Sequence, residues 1–220
     1  MASSVLITDF DGTISRVDFY ELALEHCLAA ALPDYWAGYS SGRLTHFEAM
    51  AAIYAQIRCS ESTLRSLLPR MQVDPQLPTA VRQLHDSGWD IAIVSNGSNW
   101  YIDQLLASLG LGHLEVHSNP GRFVEGSGLL LDPPLSSPFY NREYGIDKSA
   151  VVRDALKRYD RVAFAGNGPP DERPALLVDP ALRFATGWLA GQLKRRKAPF
   201  HPFRIWSEIA ATLSAAAPLP

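Results

Sequence analysis

The apolar run Val5-Leu6-Ile7-Thr8 stops at Asp9-Phe10-Asp11-Gly12-Thr13, and that junction constrains the chain more than any other feature. A short apolar run bounded by a turn signal reads as a buried strand. Side chains alternate along a strand, but at its unravelling carboxyl end Asp9 and Asp11 can both turn towards a ligand, and Gly12 permits the tight turn that allows it. Two carboxylates so placed suit covalent phosphoryl transfer. Asp9 is the expected nucleophile. Asp11 is the expected general acid for the leaving alcohol and then the base that activates water.

Three later segments extend the pattern. Ile91-Ala92-Ile93-Val94 ends in Ser95-Asn96-Gly97, where a hydroxyl and neighbouring backbone N–H groups suit a phosphate oxygen. Lys148, in Gly145-Ile146-Asp147-Lys148, opens a helical pattern over Ser149 to Tyr159, where an ammonium can neutralise nucleophile and phosphate together. Val162-Ala163-Phe164-Ala165 runs into Gly166-Asn167-Gly168-Pro169-Pro170-Asp171.

In this order the four segments resemble those of a haloacid-dehalogenase-superfamily phosphatase. The resemblance implies phosphate binding by Ser95, Asn96, Gly97 and Lys148, and Mg²⁺ binding by Asp9, Asp11, Asn167 and Asp171. A looser likeness, carried by the helical stretch after D-F-D-G-T-I and by Leu182-Arg183-Phe184-Ala185 with Pro199-Phe200-His201-Pro202-Phe203, points to the phosphoserine-phosphatase-like branch that includes the enol-phosphatase of methionine salvage. The expected activity is Mg²⁺-dependent hydrolysis of a small phosphomonoester.

Asn167 departs from the family, which has Asp there. Mg²⁺ prefers hard, charged oxygen ligands, so an amide removes a charge and attenuates the site. A natural low-affinity variant, an engineered inactivating change, and a catalytically weakened phospho-ligand-binding protein of the same fold all fit, with Asp171 as partial compensation.

Apolar runs alternate with helical patterns, which predicts a parallel α/β sheet with helices on both faces. The expected strands are Val5–Thr8, Asp90–Val94, Leu114–His117, Val162–Ala165 and Arg183–Ala185, with helices over Gln76–Ser87, Asn99–Leu109, Ser149–Tyr159 and Arg204–Leu213. Residues 17–71 are helical in pattern throughout, over Tyr20–Leu32, Phe47–Ile57 and Leu64–Met71, without a strand. The expected organisation is a Rossmann-like core, 1–16 and 72–220, with a small helical cap, 17–71, that closes over the site. Asp18 reads equally as a helix N-cap and, through the resemblance, as an acid that reads the substrate. With Trp100 and Tyr101 it is expected to line the leaving-group pocket. Gly121 to Gly145 reads as a hairpin followed by a Pro-rich loop, and the residues beyond 214 as a frayed tail.

Composition narrows the class. At 220 residues, with 47% hydrophobic and 20% charged residues, the chain suits a sizeable core. A formal charge of −3 offers no basic field for nucleic acid. No apolar run approaches the ~18 residues of a membrane span. Cys27 and Cys59 are isolated, with no C-x-x-C, so neither a zinc site nor a disulfide framework is expected. A cytoplasmic monomer or homodimer acting on a small phosphorylated metabolite is the resulting expectation. Lys148 is the first lysine in the chain, so a Schiff-base chemistry from a cap lysine is excluded.

Overall fold

The computed structural model describes residues 4–28 and 32–215. The chain opens on β1 (Ser4–Thr8) and enters a helical insertion of α1 (Phe19–Cys27), α2 (Tyr35–Ser40), α3 (His46–Tyr54), α4 (Glu61–Ser66) and a 3₁₀ turn, Leu68–Met71. It returns through α5 (Leu77–Asp86), β2 (Trp89–Ser98), α6 (Asn99–Ser108) and β3 (Glu115–Asn119). A hairpin of β4 (Gly121–Val124) and β5 (Gly128–Leu131) and a second short pair, β6 (Tyr140–Asn141) and β7 (Gly145–Ile146), precede α7 (Lys148–Arg158). The remainder is β8 (Arg161–Gly166), α8 (Glu172–Leu177), β9 (Arg183–Ala185), α9 (Gly187–Arg195), β10 (His201–Pro202) and α10 (Ser207–Ala215).

Six strands form one parallel sheet in the order β10-β9-β8-β1-β2-β3. β1 lies inside it, and its side chains divide by alternation. Leu6 joins one hydrophobic cluster with α5, α6 and α10, while Val5 and Ile7 join a second with α7 and α9. Both faces are thus covered by helices, as a wholly parallel sheet requires. The expected α/β core is present, and the hairpin falls where it was expected.

Phe19, Tyr54 and Leu64 of the insertion belong to the same cluster as Leu6 and α5, so the insertion is anchored on one face of the sheet. Thr45 and Glu48 form a reciprocal capping box at the start of α3.

Two expectations need correction. Cys27 and Cys59 are not isolated: they form a disulfide, with Cα atoms 5.0 Å apart across 32 residues. The pairing follows from an antiparallel bridge between Leu28 and Ile57, reinforced where Arg58 N donates to the Cys27 carbonyl at 2.8 Å. The helix expected over Tyr20–Leu32 ends at Cys27, because Leu28 turns extended to make that bridge; residues 29–31 lie outside the described residues, as do 216–220 of the expected tail. Among the described residues, no helix is long and apolar enough to cross a membrane.

Candidate active site

β1, β2 and β8 are neighbours in the sheet, so the loops at their carboxyl ends meet. Asp9 N donates to the Ala165 carbonyl at 2.9 Å, which holds the first loop beside the last. Gly12 has φ +69°, and a Cβ there would run into the Asn167 side chain, so both its conformation and its neighbour exclude other residues.

Lys148, the first residue of α7, is buried and lies 2.7 Å from both Asp9 Oδ1 and Asp171 Oδ1. Burial alone would lower the pKa of the ammonium, but Asp171 and Asp9 outweigh it and the net shift is upward. Asp9 is pushed well up, by burial first and then by Asp171, against the pull of Lys148. Asp171 belongs to the 3₁₀ turn Pro169–Asp171; its Oδ2 accepts from Asn167 N and Gly168 N, each at 2.9 Å. Through these contacts Asp171 anchors both Lys148 and the turn.

Asp11 Oδ1 accepts from Phe19 N at 3.0 Å, and Oδ2 accepts from the Tyr101 hydroxyl at 2.5 Å. Burial raises Asp11, while these two hydrogen bonds pull it down. Burial and Asp11 push the Tyr101 phenol up, so it stays a donor.

Ser95 is buried at the sheet's edge of the site, its Oγ accepting from Gly97 N at 2.9 Å. Gly97 is glycine because a Cβ would collide with the Tyr101 hydroxyl. The Asn96 side chain does something the sequence did not suggest. Its Nδ2 donates to the Ile146 carbonyl at 2.8 Å and the Tyr144 carbonyl at 3.3 Å, clasping the segment that delivers Lys148.

Asn167 Oδ1 accepts from the Thr13 hydroxyl at 3.3 Å. Asp18 stands at the N-cap position of α1 but makes no capping hydrogen bond. It lines the cavity above Asp9 instead, and burial, then Asp11 and Glu21, raise it to about 7.

That cavity holds about 380 Å³ and brings together Asp9, Asp11, Asp18, Ser95, Lys148 and Asn167. Asn96, Gly97, Tyr101 and Asp171 line it too. Trp100 does not, which corrects its expected place. Successive helical side chains point about 100° apart, so while Tyr101 faces the site, Trp100 turns to α4, its Nε1 donating to Glu61 at 3.3 Å under the Arg65 guanidinium. Sequence reasoning missed the opposite wall: Tyr20, Trp36, Tyr39, His46, Tyr54 and Tyr144. The available signal was the density of aromatic residues in the insertion, which reads equally as core.

Among the described residues, no three His, Cys, Asp or Glu side chains converge as a ready metal cage. The donors present still fit a hard cation that keeps much of its water. Four carboxylates, Asp9, Asp11, Asp18 and Asp171, surround the single ammonium of Lys148 in the cavity lining. Mg²⁺ characteristically binds through one or two carboxylates plus water and substrate phosphate. Asp9, Asp11 and the Asn167 amide oxygen are the groups suited to hold it.

Comparison with known proteins agrees with this arrangement. The haloacid dehalogenase-like hydrolase family model matches residues 6–173. Inorganic pyrophosphatase 2 of Arabidopsis thaliana is 26% identical over 136 residues, which cover 59% of this chain and 47% of that protein. Inorganic pyrophosphatase 1 of the same plant is 29% identical over 72 residues, 32% of this chain and 24% of that one. The chain therefore spans at most about half the length of the curated relatives it matches. In fold it resembles phosphoserine phosphatase from T. onnurineus, with a TM-score of 0.61 and 16% identity over 96% of this chain and 94% of that one. A phospho-aspartyl intermediate analogue of phosphoserine phosphatase matches with a TM-score of 0.62 and 14% identity, covering 96% and 99% of the two chains. A family model that spans all four site segments, from Asp9 to beyond Asp171, leads to one conclusion: the chain belongs to the haloacid dehalogenase-like hydrolases.

Proposed function

We propose that this hydrolase cleaves a small organic phosphomonoester through an aspartyl-phosphate on Asp9. The observation that carries the reading is the Lys148 clamp: one buried ammonium, 2.7 Å from Asp9 and from Asp171, fixes the nucleophile at the carboxyl end of β1. A second carboxylate, Asp11, is held two residues away by Phe19 N and Tyr101.

In the first step an Asp9 oxygen attacks phosphorus as the ester P–O bond breaks, and Asp11, protonated, gives its proton to the departing alkoxide. In the second step Asp11, now ionised, takes a proton from water as the water oxygen attacks phosphorus, which releases phosphate and restores Asp9. Lys148 neutralises Asp9 and the transferring group, and the Ser95 hydroxyl with nearby N–H groups holds a phosphoryl oxygen. Mg²⁺, held by Asp9, Asp11 and Asn167, would supply further charge neutralisation. The insertion, residues 17–71, acts as the cap over a core of 1–16 and 72–220, excluding water and reading the alcohol through Asp18.

An organic ester suits the cavity better than pyrophosphate, the substrate in the names of the two Arabidopsis relatives. A leaving phosphate needs cations around it, and among the described residues lining the cavity Lys148 is the single such group against a largely aromatic wall. A monomer or homodimer completes the proposal; the Cys27–Cys59 disulfide, which a reducing compartment would open, favours an oxidising compartment over the cytoplasm expected from the cysteine spacing.

Asn167 favours a second reading, a phospho-ligand-binding protein with weakened catalysis. Phosphate release from a panel of phosphomonoesters, with and without excess Mg²⁺, separates the two. Multiple turnovers that Mg²⁺ accelerates support the enzyme. Binding without turnover at saturating Mg²⁺ supports the binding protein.

A further inference from the structure

In the proposed reaction the phosphoryl group is held by two separate pieces of chain. Residues 95–97 of β2 supply the Ser95 hydroxyl, and residues 144–148, leading into α7, supply the Lys148 ammonium. The spacing of these two pieces decides how well both groups reach one phosphorus.

The parallel ladder of β2 and β3 is interrupted at that point. Val94 pairs with His117 and Ser98 with Asn119, so Ser95, Asn96 and Gly97 stand against Ser118 alone. A bulge of this kind re-aims side chains towards a site but locally disrupts the ladder. Asn119 bridges the interval. Its Nδ2 donates to the Asn96 carbonyl at 2.8 Å and to the Tyr144 carbonyl at 3.1 Å, so one amide ties the Ser95 stretch to the Lys148 segment. Asn96 returns the link, its own Nδ2 holding the Tyr144 and Ile146 carbonyls. Gly145, at φ +77°, passes close against this contact, and a Cβ there would collide with Asn119 Oδ1.

Asn119 is 1% exposed and is not among the residues that line the cavity, so it acts on substrate only through others. Its Oδ1, like that of Asn96, has no hydrogen-bond partner among the described residues. An unpaired buried acceptor costs stability, so what this amide contributes lies in its donor end, which holds two carbonyls at once.

We infer that Asn119 is a positioning residue for phosphoryl transfer: it fixes the separation of Ser95 and Lys148, and with it their fit to the transferring group. This rests on the aspartyl-phosphate reading and adds to it a residue remote from substrate.

Asn119→Asp keeps the shape and removes the donor; Asn119→Ser, too short to span both carbonyls, serves if the first variant fails to fold. A misplacement of about 1 Å can cost about a hundredfold in rate. With para-nitrophenyl phosphate and Mg²⁺, kcat should fall about ten- to a hundredfold while KM stays within about threefold, the mark of an interaction made in the transition state. Orthovanadate, which adopts the five-coordinate geometry of the transferring group, gives a readout without turnover. Calorimetry should find it bound more weakly by about the factor lost in kcat/KM. A folded variant that melts at a lower temperature but keeps the parent's kcat and vanadate affinity overturns the inference, as does a loss confined to KM. A parent protein that binds no vanadate also overturns it, and phosphate release from esters then still supports the phosphatase reading. If no ester releases phosphate, the phosphatase reading falls, and the ratio of parent to variant vanadate constants still decides whether Asn119 sets the subsite.

Discussion

The Tyr101 hydroxyl donates to Asp11 Oδ2 at 2.5 Å, reaching across a gap that exists because residue 97 has no side chain. A hydrogen bond to a charged group contributes about 1.5–3 kcal/mol. Tyr101→Phe should therefore lower kcat by about tenfold or more with little change in KM. Gly97→Ala should produce the same defect with Tyr101 still present, because the new methyl displaces the hydroxyl. Steady-state kinetics on both variants checks this; an unchanged kcat in both would remove Tyr101 from the positioning of Asp11.

Asn167 and Asp18 both crowd the Gly12 position, so an aspartate at 167 would add charge where Asp11 and Asp18 are already raised. Asn167→Asp should melt below the parent protein in chelator and gain more from Mg²⁺ at a fixed subsaturating concentration. A ligand that binds only the folded state stabilises it in proportion to the logarithm of its occupancy. Changes in the surroundings of a metal alter affinity by ~10 to 100-fold, and a gain of that order in Mg²⁺ affinity is expected. Equal Mg²⁺ responses in the two proteins would mean that residue 167 does not face the metal.

His46 gives the fold a pH dependence whose sign follows from its environment. Its folded-state pKa, lowered to about 4 by burial and Lys148, lies below the ordinary value of 6.5. Between those two values the unfolded chain binds the extra proton, so stability is complete above about pH 6.5 and falls as pH drops towards 4. The ring keeps a solvent-facing edge, and the loss is at most on the order of 3 kcal/mol. Urea denaturation from pH 4 to 7 should show this slope, and His46→Phe should flatten it. An identical slope in the variant would assign the effect to other groups.

The Cys27–Cys59 disulfide spans 32 residues and closes the segment that carries Trp36, Tyr39 and His46. In the chain-entropy description a loop of this size stabilises by roughly 3–4 kcal/mol. Reduction, or Cys59→Ser, should lower the melting temperature and raise KM for organic esters more than it lowers kcat. A melting temperature indifferent to reductant would show that the disulfide contributes nothing to the insertion.

The core was legible because strands covered on both faces must be apolar throughout. Val5 to Ile7 and Ile91 to Val94 therefore announce themselves, and the turn residues after them mark the site. β10 was not legible: two residues, one of them proline, carry no periodicity. The disulfide depends on α1 ending where the chain after α3 returns, a contact that spacing does not encode. Trp36 and Tyr39 on α2 look the same in sequence whether they face a core or a cavity. That the Asp171 and Asn96 side chains hold Lys148, the Asn167 turn and the Tyr144–Ile146 carbonyls was not legible either, because only the folded arrangement brings those partners near.

The central claim is that Asp9 carries the phosphoryl group, and acid-quenched peptide mapping during turnover tests it most directly. Excess substrate and Mg²⁺ should load one phosphoryl group onto the peptide containing Asp9, in a linkage that hydroxylamine removes, with Asp11→Asn slowing both the formation and the hydrolysis of that linkage because Asp11 serves as acid in one step and base in the other. Asp9→Asn should show none. Steady phosphate release with no phosphorylated peptide, or with the group on another residue, would contradict the account.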